Sequence, residues 1–119
     1  MAITKTARTL LASQSLAAAT AVSATELNLS TAAAGTVVFV RLTNGATAPT
    51  TAPTVSFYSG EATGVKRLRY RVAGDIVNSS VNDRAFVTEQ GEMFVNVTIT
   101  NGATNAITVE AYAQESTTV

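Results

Sequence analysis

Hydrophobic and polar residues alternate along several short stretches of this chain, and no stretch keeps the 3.6-residue spacing of a long helix. Residues 36–44 place Val38, Val40 and Leu42 at every second position, and residues 93–100 do the same with Val95, Val97 and Ile99. Alternation of this kind predicts strands with one buried face and one wetter face. Further strands are expected at 26–30, 54–58, 65–72, 85–88 and 106–113, with another near 9–16. Between them, 32–35, 44–53, 59–64, 75–83 and 89–92 read as loops or turns, and Pro49 and Pro53 exclude a central strand from the second of these. Seven to eight short strands at this spacing predict an all-β fold, an antiparallel β-sandwich of jelly-roll or Ig-like type.

The stretch before residue 25 fits this pattern least. It is rich in Ala, Ser and Thr, and its many hydroxyl residues argue against a long helix. The expected organisation is an extended N-terminal arm over 1–24, a β-sandwich domain over 25–113 and a polar tail over 114–119. Lys5 and Arg8 followed by Ala and Leu give the arm a superficial likeness to a secretory signal, but Ser13, Gln14 and Ser15 interrupt the apolar run that a signal needs.

One pentapeptide, Thr-Asn-Gly-Ala-Thr, occurs at 43–47 and again at 100–104. Each copy follows a strong strand pattern and precedes a second one. Asn and Gly tolerate the positive φ of tight reversals. The repeat is therefore expected to make the same turn twice at one rim of the sandwich, as two similar hairpins or as the trace of an internal duplication.

Composition narrows the function classes. At 119 residues the chain is one domain. It has no Cys and no His, which removes disulfides, thiolate metal sites and the usual general base. Eight basic and eight acidic residues give zero net charge, so no strong field draws it to nucleic acid or an anionic membrane. Only 13% of residues are charged, against about 25% in ordinary soluble domains. Few charges and no net charge suit a chain packed against copies of itself or a partner.

Four of the eight basic residues lie together in Lys66, Arg67, Arg69 and Arg71. Period-two spacing puts the three arginines on one side of a strand, with Leu68, Tyr70 and Val72 on the other. Such a row fits an acidic protein surface, or is a solvated face neutralised by nearby carboxylates. The carboxylates Glu26, Glu61, Asp75, Asp83, Glu89, Glu92, Glu110 and Glu115 are scattered, with no calcium-loop spacing. Four Phe, three Tyr and no Trp leave few rings for a sugar-stacking platform. Neither a phosphate loop nor a nucleophile elbow is present. The chain is expected not to be an enzyme and to need no cofactor or metal.

Thr9-Leu-Leu-Ala-Ser, Leu27-Asn-Leu-Ser-Thr, Val40-Arg-Leu-Thr-Asn-Gly-Ala-Thr-Ala-Pro and Asn101-Gly-Ala-Thr-Asn-Ala-Ile-Thr-Val-Glu-Ala together resemble small β-sandwich structural proteins of tailed bacteriophages. That resemblance implies a virion protein without catalytic residues, most concretely a capsid decoration (cement) protein assembled in the host cytoplasm. Its implied partners are the major capsid protein and copies of itself, as a homo-oligomer within a large assembly, with no nucleic acid and no membrane. The basic strand at 66–71 departs from the neutral strand expected there. The residues expected to touch a neighbour are Lys5, Arg8, Leu10 and Leu11 of the arm and Lys66, Arg67, Arg69 and Arg71 of the basic strand. Rival readings are a tail, neck or fibre-associated phage protein and a carbohydrate-binding β-sandwich module.

Overall fold

The computed structural model describes residues 3–29, 33–61, 66–88 and 92–118. Nine strands follow one another: β1 (Ile3–Leu16), β2 (Ala21–Ser23), β3 (Leu27–Asn28), β4 (Ala33–Asn44), β5 (Thr54–Gly60), β6 (Arg67–Ala73), β7 (Val81–Val87), β8 (Phe94–Thr100) and β9 (Ile107–Thr118). They form two antiparallel sheets, ordered β1-β9-β4-β7 and β2-β8-β5-β6, with β3 also on β8. Of consecutive strands only β5 and β6 pair directly; most other connections pass from one sheet to the other. With β2 and β3 sharing one position, this order is the double Greek key of a jelly roll, one of the two sandwich types expected.

The alternating positions do what their periodicity requires. Val38, Val40 and Leu42 of β4 and Val109, Ala111 and Ala113 of β9 face Val55 and Phe57 of β5 and Val95, Val97 and Ile99 of β8, all essentially buried. Burying each larger side chain contributes about 1.5–3 kcal/mol. Phe57 joins the layers: its ring stacks on Phe86 of the opposite sheet at 5.7 Å and on Tyr70 of β6 at 5.9 Å.

Three expectations are corrected. Most of the segment taken as a separate arm belongs to the sandwich. β1 pairs with β9 from Ile3↔Thr118 to Leu16↔Ile107, and Leu10, Leu11 and Leu16 join the core. Frequent Ser and Thr concealed three leucines whose burial outweighs propensity. The expected C-terminal tail is strand through Thr118, because β1 supplies its partner on one side and β4 on the other. The polar run 75–83 contains the start of β7, whose outer face accommodates Asp83 and whose inner face buries Asn82. Of the loops expected at 32–35 and 59–64, residues 33–35 open β4 and 59–60 end β5, while 62–64 and the 89–91 part of the turn expected at 89–92, with Ser30 and Val65 at strand ends, lie outside the described residues.

The repeated pentapeptide does lie at one rim, but it makes no hairpin. The first copy carries the chain from β4 to β5 and the second from β8 to β9, each time between sheets. Around both copies the same bonds recur. The Asn44 and Asn101 backbone N–H groups donate to Ser80 and Thr20 carbonyls, and Ser79 and Ala19 N–H donate to the Gly45 and Gly102 carbonyls, at 2.8–2.9 Å. The positive φ sits in the partner turns, at Ser79 (56°) and Ala19 (55°), and in the second copy at Thr104 (82°), not at the asparagines.

The buried carboxamides complete the arrangement. Asn44 Nδ2 donates to the Asp75 and Val77 carbonyls and to Asp75 Oδ1, while Asn101 Nδ2 donates to the Leu16, Ala17 and Asn105 carbonyls. The two crossings also touch each other: Thr50 N–H donates to the Ala103 carbonyl at 3.0 Å, and Asn105 Nδ2 to the Ala48 carbonyl at 3.0 Å. Gly102 is required by close approach, since a Cβ there would overlap the Thr51 carbonyl; at Gly45 the nearest atom would be 4.0 Å away. Gly102→Ala is therefore expected to destabilise the fold by about 1–3 kcal/mol, and Gly45→Ala to change it by less than about 0.5 kcal/mol. Paired urea melts of the two variants check the contrast.

Candidate functional site

The residues expected to contact a partner fall into different roles. Lys5 is exposed on the outer edge strand β1. Arg8 folds back on its own chain: its Nη1 donates to Glu115 Oε1 and to the Asn28 carbonyl, both at 2.6 Å. Glu115 is 3% exposed, so this is a mostly buried carboxylate with a part-exposed guanidinium partner. Leu10 and Leu11 are buried in the core and present nothing to a neighbour. Their inclusion as interface residues is thereby corrected: a double register shift in β1 turns adjacent leucines inward.

The basic strand is real and partly compensated. Arg67 lies 3.6 Å from Glu61, Arg69 lies 3.4 Å from Glu92, and Arg71 Nε donates to Ser56 Oγ at 3.0 Å. Lys66 sits 4.6 Å above the Tyr58 ring. A bulge opposite Phe57 and Tyr58 breaks the alternation at Leu68, which is 49% exposed; Tyr70 and Val72 stay on the face of Phe57 and Val55, with Tyr70 still 44% exposed at the margin.

β6 and β7, with the loop between them, instead define the most apolar part of the surface. Leu68, Tyr70, Ile76, Val77, Val81 and Val87 are six of the eight exposed large hydrophobics among the described residues. Each of these strands pairs on one side only, β6 with β5 and β7 with β4. Arg84 bridges them, donating from Nε and Nη2 to the Ala73 carbonyl. The opposite edge, β1, carries Lys5 and Arg8 and two register shifts, features that discourage edge-to-edge pairing. The β4–β7 ladder has no such shift.

A second feature lies on the outer face of the β1-β9-β4-β7 sheet. Register places Phe39 beside Tyr112, and Arg41 between Asp83 and Glu110. The Phe39 and Tyr112 rings stack with centroids 5.1 Å apart. Arg41 Nε and Nη2 donate to the two Asp83 oxygens at 2.8 and 3.1 Å. These residues line a cavity of about 330 Å³. The Arg41 hydrogen bond holds the Asp83 carboxyl below its usual range and raises the guanidinium in turn. At the rim, hydrogen bonds from Ser80 and Asn82 lower Asp75 likewise. The alternation in 36–44 already placed Phe39 and Arg41 on the outward face; cross-strand register, which no local pattern states, brings Asp83, Glu110 and Tyr112 to them.

No protein-family model matches the sequence, and no curated protein matches it. Among solved structures the chain is similar to part of a chain in infectious bursal disease virus, Gx strain, with TM-score 0.65 and 7% identity over 97% of this chain and 32% of that one. It thus spans about a third of that chain's length. It is similar also to the subunit of disulfide-linked Bacillus endospore appendage pili (TM-score 0.51, 18% identity, 100% and 92% covered). A third likeness is to TmCBM61, solved in complex with β-1,4-galactotriose (TM-score 0.51, 12% identity, 84% and 67% covered). At such identities these likenesses define the class by fold alone, a jelly-roll β-sandwich.

Two outcomes follow from the ionic contacts. Arg8→Ala leaves Glu115 buried and unpaired and is expected to cost about 2–3 kcal/mol; in denaturant melts, adding Glu115→Gln to it should restore part of the loss. Asp75 and Asp83 have folded pKa values below the ordinary 3.8, so their stabilisation is complete above that pH and is lost as the pH falls through the folded values. Thermal midpoints measured between pH 7 and pH 2 should accordingly fall on the acid side, less steeply in Asp83→Asn.

Proposed function

We propose that this chain is a non-enzymatic structural protein of a virus particle, a capsid decoration protein of the tailed-bacteriophage kind that docks in many copies on a shell. The observation that carries this reading is the β6–β7 edge. Two one-sided strands, with six exposed large hydrophobics on them and their loop, are what a free monomer avoids and a docked subunit covers.

The low charge and zero net charge support the same reading, since little repulsion opposes close packing of copies. The fold likeness to a chain of infectious bursal disease virus supports it further. In this mechanism the β6–β7 edge takes the role first expected of the N-terminal segment, whose β1 strand is engaged with β9. Weak contacts per copy, repeated over a lattice, sum to firm retention.

Val81→Lys combined with Val87→Lys places charge on the exposed edge without touching the core. The variant is expected to keep its melting temperature and to lose co-sedimentation with purified virus particles by about tenfold or more. Unchanged co-sedimentation would show that this edge is not the interface. Mass spectrometry of purified virions provides the wider check: a copy number near that of the shell protein fits decoration, a few copies fit a neck or tail part, and absence refutes the virion assignment.

A further inference from the structure

We propose that the outer face of the β1-β9-β4-β7 sheet binds a neutral saccharide at the cavity framed by Phe39, Arg41, Asp83, Glu110 and Tyr112. The site borders the β6–β7 edge, since Asp83 lies between Val81 and Val87 on the outward face of β7, and its first feature is an aromatic pair. Phe39 and Tyr112 stack with centroids 5.1 Å apart and planes 23° apart, so each covers one face of the other, and Tyr112, 42% exposed, is left partly open to solvent. Ring faces of this kind carry negative quadrupole density and pack against polarised C–H groups, such as those on one face of a pyranose.

The second feature is a polar row two residues further along the same strands. Arg41 and Glu110 follow Phe39 and precede Tyr112 at that spacing, which on a strand is about 7 Å. That offset suits one sugar ring packed against the exposed part of Tyr112 with its hydroxyls reaching the row. Arg41 is held flat by Asp83 through Nε and Nη2, so its Nη1 keeps its N–H groups for a ligand. Glu110 makes no hydrogen bond among the described residues, and a carboxylate there accepts from hydroxyls. A cavity of about 330 Å³, part apolar and part polar, has the size and mix of small-ligand sites.

Charge selects the ligand class. One guanidinium faces two carboxylates, so the site carries a formal charge of minus one. An anionic ligand, such as a sialylated glycan or a phosphate, meets net repulsion, whereas a neutral polyol finds both donors and acceptors. The rest of the row is short and uncharged: Thr43 and Thr108 lie beyond Arg41 and Glu110.

The test uses the full chain on an array of neutral and sialylated glycans, followed by titration calorimetry with gluco-, galacto- and manno-configured oligosaccharides. The expected result is saturable binding of at least one neutral oligosaccharide with Kd of about 1 mM or tighter, with no preference for sialylated forms. Tyr112→Ala should weaken it about tenfold, and Glu110→Gln, which conserves shape, should weaken it by a smaller factor. Tyr58→Ala, on the other sheet, should leave affinity unchanged. Circular dichroism confirms that each variant folds. Absence of binding to every neutral saccharide, a preference for sialylated ones, or affinity that survives both Tyr112→Ala and Glu110→Gln would overturn the proposal. Leu68→Lys, on β6 of the other sheet, should weaken particle docking and keep saccharide affinity, so loss of particle docking and loss of sugar binding are read independently.

Discussion

Each passage between the sheets at the Asn44 and Asn101 rim turns on a buried asparagine that ends one strand and fastens the turn leading into that strand's partner. The carboxamide is suited to this because two N–H donors serve carbonyls that would otherwise be buried without partners. Asn44 thereby holds the 74–80 loop where β7 begins, and Asn101 holds the 16–20 turn where β2 begins. Once those turns are pinned, register follows: Thr43 opposes Val81, and Thr100 opposes Ala21. The inward face of each strand is then decided, since a one-residue slip would turn every core side chain outward. Both the aromatic pair on the outer sheet and the ladder that sets Arg41 between two carboxylates depend on that registration.

The two lateral margins of the sandwich are built on opposite principles. At β1, charge and irregular register make a poor template for another strand, and a guanidinium is drawn back onto Glu115. At β6 and β7 the ladder is regular on the β7 side, Arg67 and Arg69 are paired with Glu61 and Glu92, and apolar side chains stand in solvent. Removing uncompensated charge from a margin lowers the desolvation cost of covering it. The arginine row has two of its three guanidiniums paired with carboxylates and stands beside exposed apolar side chains.

Much of the fold was legible because one-sided burial imposes alternation: 36–44, 93–100 and 106–113 carry their inward residues in plain view. What escaped has a physical reason in each case. A strand, Asn-Gly and a second strand look alike whether the second strand pairs with the first or joins the opposite sheet, because pairing is decided by distant residues such as Ser80 and Thr20. The start of β7 was hidden because an edge strand tolerates Asn, Asp and Arg in a row. Of β1 only the part near 9–16 was expected, where Leu10, Leu11 and Leu16 face inward and a bulge spoils their period. Of the saccharide site, the outward placement of Phe39 and Arg41 could be read from the sequence, while Asp83, Glu110 and Tyr112 arrive only through pairing across strands.

The pairing of Ile3 with Thr118 puts the first and last described strand residues next to each other, at the end of the sandwich remote from the asparagine-fastened crossings. A peptide or reporter appended to either end of the chain would therefore emerge from a single pole, leaving the broad outer faces unobstructed. The same adjacency suits circular permutation: a brief linker joining the two ends would close the backbone into a ring, which could be reopened in a surface loop without parting β1 from β9.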